Sequence, residues 1–143
     1  EEGLVFSEIS ERILKMRDEQ QTYFVIDTLE PLRKNGRLTG LQAFFATALN
    51  IKPVMGADHG VIIKLDQARG MNRALIKLVE QVIEKPPDSA EKVLAISHCN
   101  CPARAQVLKE AFEERMKLAK IVVLDTAGVS SMYANDGGVI VAV

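Results

Sequence analysis

The chain has 143 residues, of which 48% are hydrophobic and 26% are charged, so its composition is that of one globular domain rather than a disordered or fibrous segment. Its formal net charge of −1 argues against nucleic acid as the main partner, because phosphate binding needs an excess of basic residues. No apolar run approaches the ~20 residues that a membrane-spanning helix needs.

The chain begins with a predicted helix and a predicted strand. Apolar residues at helical spacing predict an amphipathic helix over residues ~4–19, carried by Val5, Ile9, Ile13 and Met16. Tyr23–Asp27 is β-branched and aromatic and predicts a strand. A short helix follows over Leu29–Lys34, with Pro31 in its first turn. Gly36 suits the end of this helix, because glycine readily adopts the left-handed conformation.

The middle of the chain contains two more predicted helices and a hairpin. Thr39 caps a helix over residues 40–49, whose wide apolar face consists of Leu41, Phe44, Phe45, Ala48 and Leu49. Ile51–Met55 and Val61–Leu65 flank a turn rich in Gly and Asp and predict an antiparallel hairpin. Residues ~70–84 carry the most regular helical pattern, formed by Met71, Ala74, Leu75, Leu78, Val79, Val82 and Ile83.

The last third alternates strands with one helix. Val93–Ser97 predicts a strand, and Pro102 suits the first position of a helix. The expected inner stripe of that helix is Val107, Leu108, Ala111, Phe112, Arg115 and Ala119. Ile121–Leu124 predicts a buried strand, Gly128–Asp136 a polar loop, and Gly138–Val143 the last strand.

These elements together predict an α/β (α+β) fold in one domain spanning residues 1–143. The hairpin requires antiparallel pairing, whereas the strand–helix–strand unit over residues 93–124 favours some parallel pairing. We therefore expect a two-layer structure, in which helices cover one face of a mixed sheet of about six strands.

Two clusters in the first half are candidates for function. Arg33, Lys34 and Arg37 lie within five residues, and they form either an anion site, a docking patch for an acidic partner, or a solvated turn. Phe44 and Phe45 point about 100° apart on a helix. Either both belong to the core, or one packs on the sheet while the other lines a ligand tunnel.

Two segments in the second half carry reactive residue types. His98-Cys-Asn-Cys101 contains zinc-ligand types but lacks a second ligand pair, so we predict no metal and interpret these residues as helix-cap and packing residues, with a reactive thiol as the alternative. Cys99 and Cys101 are too close in sequence to cross-link a fold, which favours reduced thiols and a cytoplasmic location.

The loop over residues 128–138 combines hydroxyls with paired glycines. Its backbone amides are suited to a carboxylate or a phosphate, although it matches no phosphate-binding motif. A hydrolase in which Ser130 or Ser131 acts with His98 and Asp125 is a further alternative. The simplest interpretation is a turn in which glycine supplies positive φ.

One block of the sequence resembles a known family. The strand Tyr23–Ile26, the short helix and Gly-Arg turn of Asp27–Gly40, the apolar helix and the Lys52-Pro53 strand start occur in the order seen in the DegV family of fatty-acid-binding proteins. The remaining elements agree in order with the second domain of that family, which is also similar to part of the dihydroxyacetone kinases.

The resemblance implies that the chain is the C-terminal half of a two-domain bacterial protein. Residues 1–19 would be the helix that leads in from a missing N-terminal domain, whose Thr-Ser-Gln and Ser-Ser-x-Leu-Ser-Gly motifs do not occur here. The implied ligand is a long-chain fatty acid such as palmitate, bound between the domains. The implied role is that of a non-catalytic carrier without a cofactor, and some members present the fatty acid to a kinase subunit.

The resemblance also implies ligand-binding residues. The acyl tunnel would be lined by Leu41, Phe44, Phe45 and Ala48, with Arg37 near the domain interface. The C-terminal loop would supply polar contacts from Ser130, Ser131, Tyr133 and Asn135. Many members have a carboxylate-binding His where Ala134 falls here, which leaves Tyr133 or Asn135 as substitute donors.

Two other functions remain open. The first is a small α/β transferase that binds a phosphorylated substrate at the 128–138 loop. The second is a non-catalytic oligomerisation module, such as a homodimer formed through an exposed apolar face.

Overall fold

The computed structural model describes residues 3–37, 50–84 and 89–143. The helices of this part of the chain are α1 (Phe6–Glu19), α2 (Glu30–Lys34), α3 (Met71–Ile83), α4 (Pro102–Arg115) and α5 (Val129–Ala134). The strands are β1 (Thr22–Val25), β2 (Ile51–Asp58), β3 (Val61–Arg69), β4 (Val93–His98), β5 (Lys120–Asp125) and β6 (Val139–Ala142). The predicted helix over residues 40–49 lies outside the described residues.

The strands form one six-stranded sheet in the order β3-β2-β1-β6-β4-β5. Only β4 and β5 pair in parallel, and the other neighbours are antiparallel. The predicted mixed sheet is therefore confirmed. Its central position is taken by β6, the last strand along the chain, which pairs with β1 on one side and with β4 on the other.

The predicted hairpin is confirmed, and its strands are longer than the sequence pattern indicated. Asp58 pairs with Val61, so the turn consists of His59 and Gly60. Both have positive φ, 46° and 82°, as a two-residue type I′ turn requires. Pairing then continues to Arg69 at the far end, past polar residues that the hydrophobic pattern alone did not assign to a strand.

The long helices α3 and α4 cover one face of the sheet, which we call the long-helix face. The predicted stripe of α3 is buried here except for Ile83, which is partly buried, and it packs with side chains from the strands, including Tyr23, Val25, Leu94 and Ile96. In α4 the buried residues are Ala105, Leu108 and Phe112. The predicted inner residues Val107 and Arg115 are instead exposed, Val107 by 56%. The helix ends at Arg115, so Ala119 lies beyond it.

Two predictions for the C-terminal third are wrong. β5 is not a buried strand, because it pairs with β4 alone at the edge of the sheet and leaves Leu124 51% exposed. The segment 128–136 is not only a loop, since Val129–Ala134 forms α5, in which Ala134 is buried.

The opposite face of the sheet, which we call the groove face, carries a smaller cluster. Ile26, Leu32 and Met55 are buried there, and they pack with Phe24, Leu29, Ile62 and Tyr133. Within the described residues, α2 and α5 therefore pack over one end of this face.

Candidate functional site

An apolar groove of about 320 Å³ lies on the groove face. Phe24 from β1, Ile62 from β3 and Ile140 from β6 line it along the sheet. The other lining residues are Thr22, Ile26, Leu32, Arg37, Gly60, Tyr133 and Ala134. In the part of the chain that the structure describes, the groove therefore combines a mainly apolar lining with one cationic side chain, Arg37.

Strand alternation explains the apolar lining. Tyr23 and Val25 point into the long-helix core, so Phe24, between them, points to the opposite face. In β6, the same alternation buries Val139 and Val141 and leaves Ile140 half-buried in the groove. A strand that is apolar on both faces needs cover on both, and among the described residues the second cover comes from α2 and α5 at one end.

The geometry of α2 brings Arg37 to the groove. The side-chain amide of Asn35 donates a hydrogen bond to the Pro31 carbonyl over 2.7 Å, and Gly36 has φ of 66°. The Arg37 N–H then donates to the Leu32 carbonyl over 2.8 Å, which reverses the chain. Because Leu32 is buried at one end of the groove, Arg37 is held at that end with its side chain exposed.

The three cations of this segment are not equivalent. Arg33 donates two hydrogen bonds to the Glu30 carboxylate, over 2.5 and 2.8 Å, and Lys34 lies 3.8 Å from the same group. The Arg33 guanidinium holds the pKa of Glu30 below its usual value. Arg33 and Lys34 are thus partly neutralised, and of the three only Arg37 lines the groove.

The C-terminal candidates are divided by α5. Tyr133 lines the groove, as does Ala134 next to it. Ser131 instead donates its hydroxyl hydrogen to Thr126 Oγ1 over 2.8 Å. Ser130 is exposed, and Asn135 is exposed at the end of the helix with φ of 54°. Ser130, Ser131 and Asn135 are not among the groove-lining residues, and Leu41, Phe44, Phe45 and Ala48 lie outside the described residues.

A charged network next to the groove was missed from the sequence. The Asp27 carboxylate lies 2.5 Å from an Arg104 nitrogen and 3.2 Å from Lys52 Nζ. Arg104 also donates to the Gly137 carbonyl. Burial opposes ionisation of Asp27, but the hydrogen bonds from Arg104 and Lys52 outweigh it and hold the pKa of Asp27 below its usual value.

This network connects three segments of the chain that lie next to the groove. Asp27 follows β1, Arg104 lies in the first turn of α4, and Gly137 lies between α5 and β6. A Cβ atom at Gly137, where φ is 84°, would overlap Asp27 and Arg104. No local spacing relates these residues, because Arg104 is 77 positions from Asp27 and 33 positions from Gly137. The sequence pattern therefore gave no signal for them.

The cysteine segment has a packing role in the structure. The Cys99 N–H donates to the Gly138 carbonyl, and the Gly137 N–H donates to the Cys99 carbonyl, each over 2.9 Å. Cys101 Sγ lies 3.5 Å from the Gly138 carbonyl oxygen, and burial raises the pKa of its thiol. A raised pKa disfavours the thiolate, which weakens the reactive-thiol alternative. His98 is buried, with Nδ1 3.5 Å from Asp125 Oδ1.

The fold and the groove define a small α/β domain with an apolar groove on one face of its sheet. A family model described as an uncharacterised protein of the DegV family matches residues 1–143. The chain therefore belongs to the DegV family. Within the described residues, every helix is too short or too polar to cross a membrane.

Two solved structures are similar to this chain. A DegV family protein from Ruminococcus gnavus, described with vaccenic acid, has 44% identity and a TM-score of 0.92, over 99% of this chain and 50% of that chain. A Streptococcus pneumoniae protein, described as a fatty acid kinase B3 protein loaded with linoleic acid, has 28% identity and a TM-score of 0.83, over 98% and 50%.

A curated relative from Clostridium perfringens, named a DegV domain-containing protein, is 30% identical over 122 residues. That match covers 85% of this chain and 43% of the relative. The chain thus spans about half the length of the relatives it matches.

Proposed function

We propose that the chain is the C-terminal half of a fatty-acid-binding protein and that its groove forms one wall of the acyl-chain site. The observation that carries this proposal is an apolar groove whose described lining includes a single cation, Arg37. The lining suits an alkyl chain, and the guanidinium suits a carboxylate. The similar proteins described with vaccenic and linoleic acids support the same ligand class.

The proposed roles follow from position in the groove. Phe24, Ile62 and Ile140 contact the acyl chain, and Tyr133 supplies a hydroxyl near the end where Arg37 lies. The contacts expected from Leu41, Phe44, Phe45 and Ala48, and from Ser130, Ser131 and Asn135, stay predictions.

The proposed role is that of a carrier, without catalysis and without a cofactor, in the cytoplasm. The name of the similar Streptococcus pneumoniae protein supports a kinase subunit as a partner to which the fatty acid is presented. The exposed turn from Arg33 to Arg37 is the proposed surface for that partner. The structure gives less support to a transferase at residues 128–138, because Ser131 is already bonded to Thr126.

A free-energy estimate indicates that one wall alone binds weakly. Burying one methylene is worth roughly 0.8 kcal/mol, so about fourteen fully enclosed methylenes give on the order of 11 kcal/mol. One wall covers about half of each, which leaves roughly 5–6 kcal/mol before an immobilisation cost of about 4 kcal/mol or more. We expect millimolar or undetectable binding by the chain alone.

Calorimetric titration of palmitate tests the proposal. The 143-residue chain is compared with a chimera that joins it to the first half of the Ruminococcus gnavus protein, with which it shares 44% identity over the matched region. The chimera should bind palmitate at least a hundredfold more tightly than the chain alone. Sub-micromolar binding by the chain alone would contradict the two-wall site, and no binding by a folded chimera would contradict the function.

Two aspartate substitutions in the chimera test the groove itself. Ile62→Asp places a charge in the groove and should abolish palmitate binding. Val107→Asp makes the same kind of change on the outer surface of α4, where the side chain is 56% exposed, and should leave binding unchanged. Equal loss in both variants would show that the effect is not specific to the groove.

The apolar side of α1 is a second exposed surface, and we expect another protein surface to cover it. No described residue of α1 is buried, and Phe6, Ile13 and Met16 are each more than half exposed. We propose that the missing N-terminal domain covers this helix, because the chain spans half of its relatives. A homodimer is the alternative, and light scattering of the chain and the chimera distinguishes them: only a homodimer surface persists in both.

A further inference from the structure

The two edges of the sheet differ in their protection against further strand pairing. β3 forms one edge and β5 the other, and among the described residues each pairs with a single neighbour. β3 carries Lys64, Asp66 and Gln67, and its register with β2 shifts between Val54 and Met55. Charges and bulges of this kind discourage the addition of another strand. β5 has a continuous register with β4 and no charge between its two end residues, so it lacks this protection.

The backbone of β5 presents a regular row of groups on its outer side. The Thr126 N–H donates to the His98 carbonyl over 2.9 Å, which fixes the residues of β5 that face β4. Because backbone groups alternate in direction along a strand, those of Leu124 and Val122 also face β4. The residues whose backbone groups face outward are Ile121, Val123 and Asp125. A row of this kind pairs most completely with another β-strand.

The apolar side chains of β5 are exposed on both faces of the sheet. Ile121 packs against the core of the long-helix face, so Val123 and Asp125 lie on that same face. Leu124 lies on the groove face. Val123 is 38% exposed and Leu124 51% exposed. A strand added at this edge would cover both side chains at once.

The charges along β5 indicate which strand fits and in which direction. Lys117 and Lys120 lie at its N-terminal end and are exposed, whereas Asp125, at its C-terminal end, has a side chain that is 85% exposed. In an antiparallel pair of two β5 strands, Asp125 of each copy lies at the basic end of the other. A parallel pair would bring like charges together, which is destabilising. The strand is therefore complementary to a second copy of itself.

A two-fold axis at Val123 gives a register that uses every outward-facing residue. Val123 then lies opposite Val123 of the second copy, and Ile121 lies opposite Asp125 on either side of it. All of these residues face outward, so each opposite pair is of the hydrogen-bonded kind. On the groove face, Val122 lies opposite Leu124, which covers the exposed Leu124 side chain.

We propose that β5 is the interface of a homodimer, in which two copies of the chain pair antiparallel about Val123. The two six-stranded sheets then join into one continuous sheet. An axis perpendicular to that sheet keeps equivalent faces on the same side, so both grooves open toward one side of the dimer. This interface is separate from α1, and it does not depend on what the groove binds.

A cysteine at the proposed axis tests the register. Opposite Cα atoms of a hydrogen-bonded antiparallel pair are about 5.5 Å apart, which a disulfide can span. Val123→Cys should therefore cross-link two copies under mild oxidation, visible as a dimer on a non-reducing gel. Val107→Cys, on the exposed surface of α4, is the control, and the unmodified chain accounts for Cys99 and Cys101. Cross-linking of Val123→Cys at the level of these controls would overturn the proposal.

A proline at the same position tests the backbone pairing. The Val123 N–H faces outward, so Val123→Pro removes a donor of the dimer without removing a bond to β4. Val123→Thr keeps both the donor and the strand preference and is the matched control. In sedimentation equilibrium up to millimolar concentration, the unmodified chain and Val123→Thr should dimerise, and Val123→Pro should associate at least tenfold more weakly. Equal association of all three would overturn the proposal. If Val123→Pro does not fold, the cysteine experiment decides.

A further variant separates this dimer from one formed through α1. Phe6→Asp places a charge on the exposed apolar side of α1 and should leave dimerisation unchanged. Loss of the dimer in Phe6→Asp, with a full dimer in Val123→Pro, would assign the interface to α1 and overturn the proposal. A monomeric unmodified chain at millimolar concentration would overturn it as well. The light-scattering comparison proposed for α1 is therefore made with Val123→Pro in both the chain and the chimera.

Discussion

The two faces of the sheet differ in how completely their apolar side chains are buried. On the long-helix face, residues such as Leu78, Phe112 and Ile96 are fully buried, and two amphipathic helices complete the core. On the groove face, Phe24 and Ile140 are equally apolar but only partly covered. The same strands thus bury one set of side chains in the core and leave the other set partly exposed in the groove.

The largest expected difference between the faces is in stability. Leu78→Ala removes a fully buried side chain and should lower the free energy of unfolding by about 2–5 kcal/mol. Ile140→Ala makes a similar truncation in the groove and should cost less than half as much, because little packing is lost there. Urea unfolding of both variants gives the comparison. Equal losses would mean that the groove face is part of the core.

Substitution of Gly137 tests how rigidly the Asp27–Arg104 contact is held. Gly137→Ala brings a Cβ into contact with Asp27 and Arg104, whereas Gly36→Ala meets open space at a similar positive φ of 66°. The second variant should cost about 1–2 kcal/mol from backbone strain alone. The first should cost clearly more, measured by urea unfolding. Equal costs would show that the Asp27–Arg104 contact yields easily.

The Asp27 network predicts a pH dependence. The folded state lowers the pKa of Asp27, so its carboxylate stabilises the fold above the unfolded-state pKa of about 4 and loses this effect as pH falls through the folded-state pKa. The Asp27→Asn variant should therefore lose less stability than the unmodified chain between about pH 5 and pH 2. Urea unfolding across that range measures it, with Glu114→Gln, exposed on α4, as the control.

The smallest expected effect concerns Arg37. In the chimera, Arg37→Gln should weaken palmitate binding about twofold to fivefold, as expected for an exposed ion pair. Binding of the corresponding alcohol should not change, because it carries no charge. Calorimetry with both ligands separates the two effects. An equal loss for the alcohol would assign Arg37 a packing role instead.

The sequence was most informative where one periodic pattern coincided with burial. The regular stripe of α3 and the two-residue hairpin turn at His59-Gly60 follow from local rules, and both are present. It was least informative where position in the sheet decides burial. The pattern of Ile121–Leu124 predicts a buried strand, yet β5 lies at the edge of the sheet. The prediction failed because strand order is not encoded in a local pattern.

The same limit applies to the candidate site. Arg37 and Tyr133 were identified from the sequence through a family resemblance, and both line the groove. Phe24, Ile62 and Ile140 were not identified, because each belongs to an ordinary apolar strand. Their common signal is an apolar residue at positions that alternate with the core on three strands. That signal can be recognised only when the positions of β1, β3 and β6 in the sheet are known.

The central place of β6 has a consequence for how the protein is made on the ribosome. β1, β2 and β3 form one block of neighbouring strands, β4 and β5 form another, and β6 is the strand that joins them. Since Val139–Ala142 is translated after both blocks, the sheet remains in two pieces until those residues leave the exit tunnel. The sheet that forms the groove is therefore completed only after β6 has been synthesised.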